Sequence, residues 1–125
     1  MRLLIDTHLL LWWLDDSPQL SREARGLIAD PVNTIFVSAA SIWEISIKQA
    51  LGKLDLPESF DQVLLATGFE TLSVQASHSR ATGKLPPLHR DPFDRMLLAQ
   101  ASLERLILLT ADEQIAKYGS PARLV

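Results

Sequence analysis

The sequence predicts an α/β fold built on a parallel sheet, and three observations predict it. Short apolar runs of strand length alternate with segments of helical periodicity, the pattern of successive βα units. Cap residues, prolines and glycines punctuate the segments at their ends. At 125 residues the chain suits one domain, 1–125, long enough to bury a real core.

Leu3 to Ile5 is the first strand, an apolar run that stops abruptly at Asp6, and Leu9 to Leu14 follows as a helix. Ser21 to Ala29 reads as a second helix, opened by Ser21 and closed before Pro31. The segment "TIFVS", Thr34 to Ser38, is β-branched and aromatic and forms the second strand. Ser41 to Leu51 is a helix ended by Gly52, and Glu58 to Thr67 another ended by Gly68. "ETLSV", Glu70 to Val74, is a third short strand, followed by a short helix from Gln75 to Thr82. "GKLPPLHRDP" is a loop, because its prolines cannot propagate a helix. Pro92 to Leu103 is a strong helix, "LILLT" a buried strand, and Ala111 to Lys117 the last helix, leaving "ARLV" as an edge strand.

Composition narrows the class. With 47% hydrophobic and 22% charged residues the chain is an ordinary globular protein. It has no cysteine, which excludes disulfides and thiolate metal sites and is compatible with a cytoplasmic location. The longest apolar stretch, Leu9 to Leu14, is far too short to span a membrane. Asp6 interrupts the apolar N-terminal region, so a secretory signal is not expected.

Ligand sites of open α/β sheets lie beyond the carboxyl ends of the strands, so strand-end residues carry the functional argument. Four of them are acids: Asp6 after the first strand, Glu44 early in the next helix, Asp94 in the first turn after the proline loop, and Asp112 after "LILLT". Each has a dull explanation. Asp6 or Thr7 fits a helix cap, and Ser41 with Glu44 fits a capping box. Asp91 with Asp94 fits a cap with Pro92 at the first helical position, and Thr110 to Glu113 fits a third box. Asp94 is the exception, because the helical wheel sets it on the apolar arc with Leu97, Leu98 and Ala101, while Arg95 and Ser102 mark the wet side. A carboxylate there is costly unless paired or bound to a metal.

Clustered acids repel one another unless a cation holds them. The fitting cations are Mg²⁺ or Mn²⁺, which take oxygen ligands, and such a site suits phosphodiester hydrolysis. The formal charge is −3, but setting those four acids aside leaves eleven against twelve Lys and Arg, so a polyanion is not repelled in general. Lys84, His89, Arg90 and Arg95 flank the site as candidate RNA-phosphate contacts, with a solvated basic loop as the plain alternative. His8 and His78 have no assigned task.

Four segments, "LLIDTHLLLWW", "SAASIWEISIKQALGKL", "HRDPFDRMLLAQA" and "LLTADEQI", in this order resemble the PIN-domain ribonuclease toxins of type II toxin–antitoxin systems (VapC-like) over essentially the whole chain. The resemblance implies a three-layer α/β/α PIN-like fold with a central, mostly parallel sheet, and a metal-dependent endoribonuclease. Its acidic quartet falls on Asp6, Glu44, Asp94 and Asp112, and its polar residue near the last strand on Thr110. Asp91 then serves as cap or outer-shell group, and Thr7 supplies the first cap in place of Asp6. The cofactor implied is Mg²⁺, with Mn²⁺ as substitute. The implied partners are an RNA, a small cognate antitoxin and a second copy of the chain, with Trp12, Trp13 and Trp43 as candidate interface or core residues.

Three other readings compete. A phosphorelay receiver would want adjacent acids after the first strand and an aspartate where Ser38 ends the second. A phosphatase of the haloacid dehalogenase type would want an aspartate where His8 stands. A catalytically inactive PIN-fold binding module would retain the fold without the chemistry.

Overall fold

The computed structural model describes residues 1–125 and contains five strands, all parallel, in the order β3-β2-β1-β4-β5. In chain order the elements are β1 (Arg2–Ile5), α1 (Thr7–Leu14), α2 (Arg22–Ala29), β2 (Thr34–Ser38), α3 (Ala39–Ala50), α4 (Phe60–Ala66), β3 (Glu70–Leu72), α5 (Ala76–Thr82), α6 (Pro92–Glu104), β4 (Ile107–Thr110), α7 (Glu113–Ala116) and β5 (Ala122–Leu124). The expected elements are all present, and "ARLV" pairs in parallel at the edge beside β4.

Alternation along the strands splits the core into two layers. Leu3 and Ile5 of β1, Ile35 and Val37 of β2 and Leu109 of β4 face α1, α2 and Ile45 of α3. Leu4 and Leu108 face the other way, onto Leu97, Leu98 and Ala101 of α6 and Ile115 of α7. Period-two strands with helices on both faces give three layers, as in other parallel sheets. No helix is long and apolar enough to cross a membrane.

The winding fixes where a site can lie. From β1 the chain moves outward through β2 and β3, then returns to the other side of β1 for β4 and β5. The direction therefore reverses between β1 and β4, and a crevice opens beyond their carboxyl ends. Asp6 and Thr110 stand at that point, at the last rung of the ladder, where the Asp6 N–H donates to the Leu109 C=O at 3.1 Å.

One buried polar contact ties the second helical layer to the sheet. Gln100 of α6 is fully buried, accepts from the Ser38 hydroxyl at 2.6 Å and donates to the Ser73 carbonyl at 3.2 Å. Replacing it by an apolar residue strands a buried hydroxyl, a loss of about 1–3 kcal/mol. Gln100→Leu is expected to lower the unfolding free energy by that amount in urea titration with an unchanged slope, whereas a change below about 0.5 kcal/mol would mean that the contact carries no weight.

Candidate active site

Asp6 is the single residue between β1 and α1, and it is only 2% exposed. Its own carboxylate caps α1, with Oδ1 accepting from the Leu9 N–H at 2.8 Å, while Oδ2 accepts from the Thr110 hydroxyl at 2.6 Å. The expectation that Thr7 supplies this cap is corrected. Thr7 is already inside the helix, and its hydroxyl donates to Glu44 Oε1 at 2.7 Å and lies 3.0 Å from Ser41 Oγ. Burial pushes the Asp6 carboxyl up from the ordinary range, and the Thr110 and Leu9 hydrogen bonds only partly oppose it.

Glu44 is buried in α3, 4% exposed, and the expected box with Ser41 does not form. The strand β2 passes straight into α3, and the Ser38 side chain caps the helix by accepting from the Ala40 N–H at 3.0 Å. The helix therefore begins before Ser41. Glu44 instead uses Oε1 for Thr7 and Oε2 for Lys48, whose ammonium donates at 2.7 Å across one helical turn.

Asp94 lies in the first turn of α6, capped by Asp91, whose Oδ1 accepts from the Asp94 N–H at 2.9 Å. Its Oδ2 accepts from His89 Nε2 at 2.7 Å. Burial is the main reason its carboxyl is pushed up to about 6, with the negative charges of Asp91 and Glu44 adding to the shift and His89 opposing it. Asp112 is the cap of α7, Oδ1 accepting from the Gln114 N–H at 2.8 Å. The third expected box is thus replaced. Thr110 is still in β4, where its hydroxyl also accepts from the Asp112 N–H at 3.0 Å.

The four acids therefore differ in what is left over. Asp6 and Glu44 have both oxygens engaged by the protein. Asp94 and Asp112 each commit one oxygen to a neighbour. One ligand atom from each of His89, Asp94 and Asp112 lies within 4.8 Å of the others, a spacing at which one cation could bridge them. Asp6 lies in the field of Asp112, and Asp94 in that of Glu44.

The flanking cations separate. Lys84 and Arg90 are exposed on the proline loop, and Arg90 borders a groove of about 670 Å³ with Trp43 and Phe93. Arg95, expected on the wet face as a phosphate contact, is half-buried because the loop folds back over it. Its Nη2 donates to the carbonyls of Thr82 and Leu85, and its Nη1 to those of Pro86 and His89 and to the Tyr118 hydroxyl. Helical phase reports only the helix's own surface, so no sequence signal marked this clamp or Tyr118. His78 is buried between the Gln75 N–H and Glu104, away from the acids. His8 is exposed against Trp12, Trp13 packs on Phe69, and Trp43 is 63% exposed.

A model of the PIN domain matches residues 3–121 of the chain. The chain belongs to the PIN domain family. Over 68 residues this PIN domain is 43% identical to ribonuclease VapC16 of Mycobacterium tuberculosis (strain ATCC 25618 / H37Rv). That match covers 49% of the chain and 48% of the relative, so the chain spans about half the length of the curated relative it matches. Among solved structures it superposes on a chain of the VapBC2 complex from Rickettsia felis bound to a promoter DNA fragment, with a TM-score of 0.72 at 19% identity, covering 100% and 98% of the two chains. VapBC-1 from nontypeable Haemophilus influenzae gives 0.70 at 17%, covering 100% and 97%, and a toxin–antitoxin complex from Klebsiella pneumoniae 0.64 at 22%, covering 96% and 94%. At these identities the likeness establishes the PIN fold, with the α/β/α layers described above.

The raised Asp94 pKa has a consequence for the metal-free protein. An acid whose folded pKa exceeds its unfolded value adds stability that is full below about pH 4 and lost as pH rises through about 6. Asp94→Asn cannot ionise, so in chelator its stability relative to wild type is expected to improve as pH rises across that window. Urea titrations at several pH values would show a flat difference if Asp94 ionised normally.

Proposed function

We propose that this PIN domain is the toxin of a type II toxin–antitoxin pair and acts as an Mg²⁺-dependent endoribonuclease, with Mn²⁺ as substitute. The observation that carries the reading is the uneven saturation of the four acids at the point where the sheet winding reverses. Asp94 and Asp112 keep oxygen atoms available, beside an Asp6 whose carboxyl burial pushes up from the ordinary range. All-oxygen donors of this kind fit a hard divalent ion.

Asp94 and Asp112 would hold the ion directly, and Asp6 through the lone pairs its two hydrogen bonds leave unused. When bound, the ion supplies an acidified water and charge stabilisation at the phosphoryl oxygens. Glu44, held on one side by Thr7 and on the other by Lys48, orients the attacking water and takes its proton. The water oxygen bonds to phosphorus as the opposite ribose oxygen departs in line and gains a proton from solvent. No side chain becomes covalently attached. Thr110 keeps Asp6 in place, and Asp91 keeps the first turn of α6 formed.

Lys84 and Arg90 are the exposed cations available for the RNA backbone. The partners we assign are RNA, a small cognate antitoxin and a second copy of the chain, acting in the cytoplasm. The solved neighbours being VapBC complexes supports the antitoxin, and the exposed Trp43 beside Phe93 offers an anchor for a protein surface.

Purified chain, freed of any bound partner, is expected to cleave RNA with Mg²⁺ or Mn²⁺ and to stop in EDTA. Asp94→Asn and Asp112→Asn should each slow cleavage at least about 100-fold while melting as folded proteins. The reading fails if wild type leaves RNA intact with either metal, or if both variants cut at its rate.

A further inference from the structure

We propose that His89 is a positioning residue for Asp94, presented by a clamp of Arg95 and Tyr118, and that by holding Oδ2 it leaves Oδ1 available to a divalent metal. This rests on the reading of Asp94 as a ligand. The loop between α5 and α6 carries nothing regular, yet its backbone is held at both ends of the His89 peptide. The His89 N–H donates to the Tyr118 hydroxyl at 3.0 Å, and the His89 carbonyl accepts from Arg95 at 3.2 Å. The same hydroxyl donates to the Pro86 carbonyl at 2.9 Å and accepts from Arg95 at 3.1 Å, so its donor and both acceptor sites are used.

Loop closure is therefore complete without the imidazole, and the polar partner of the ring is Asp94 Oδ2 at 2.7 Å. The proton between them sits on Nε2 whenever Asp94 is ionised, since a carboxylate only accepts. With that nitrogen committed as donor, Nε2 orients Asp94 and is not itself a metal ligand. Groups that hydrogen-bond a ligating carboxylate set metal affinity about as strongly as a weak ligand does.

The test is calorimetric titration of Mn²⁺ into wild type, His89→Leu and His89→Gln, whose amide keeps a donor at similar reach, together with Tyr118→Phe. His89→Leu is expected to weaken Mn²⁺ about tenfold or more, His89→Gln to recover most of the loss, and Tyr118→Phe to shift it in the same direction by less. Cleavage by His89→Leu should fall in kcat with KM for RNA nearly unchanged. Electron spin-echo spectra of bound Mn²⁺ should lack nitrogen coupling from residue 89. Unchanged Mn²⁺ affinity in His89→Leu overturns the proposal, as does a nitrogen coupling lost in that variant, which would make His89 a ligand. A raised KM with intact metal binding also overturns it, in favour of a phosphate contact. Wild type that binds no Mn²⁺ overturns both readings. Wild type that binds Mn²⁺ but cuts no RNA defeats the nuclease reading alone, and the affinity series still decides His89.

Discussion

The hydrogen bond from Thr110 to Asp6 is the interaction on which the rest of the site depends. It crosses from β4 to β1 at the one place where the winding of the sheet reverses, and it holds a carboxylate that has left water. Desolvation alone would favour neutralising that acid. The fold opposes this with two local devices, the hydroxyl of Thr110 and the amide at the start of α1. Neither supplies a full positive charge, so the carboxyl stays pushed up from its ordinary range.

Helix N-termini organise what surrounds it. Asp6 and Asp112 cap α1 and α7, and Asp94 sits in the first turn of α6. Each carboxylate therefore meets the positive end of a helix dipole, which offsets part of the mutual repulsion. Capping and ligation turn out to be compatible uses of one side chain. A carboxylate has about four lone-pair sites, and a cap occupies one of them. The opposition between the two roles that the sequence raised for Asp6 dissolves on this count, because the same group can do both.

The sheet and the positions of the acids were legible because both follow from local pattern. A strand-length apolar run ending in an acid marks a strand-to-helix junction, and the wheel separated Asp94 from Asp91. The identity of the caps was less legible. Ser, Thr and Asp at neighbouring positions satisfy the same cap rules, so the caps expected at Thr7, Ser41 and Thr110 fall instead on Asp6, Ser38 and Asp112. Long-range partners left no trace in the sequence. Gln100 meets Ser38 from 62 residues away, and Arg95 meets Tyr118 from 23. His8 remains without a role, exposed against Trp12.

The junctions at the site's edge leave almost no chain to spare. One residue separates β1 from α1, none separates β2 from α3, and two separate β4 from α7. An added or deleted residue at any of them would rotate a carboxylate around its helix by about 100°. The loop from 83 to 91 is longer, and the Arg95 clamp removes its slack by binding four of the carbonyls across it and at the end of α5. The connection from 51 to 59, between α3 and α4, bears none of the four acids and touches no such clamp. Family members can therefore diverge in length there, and an inserted probe has room there, without resetting the geometry of the acidic edge.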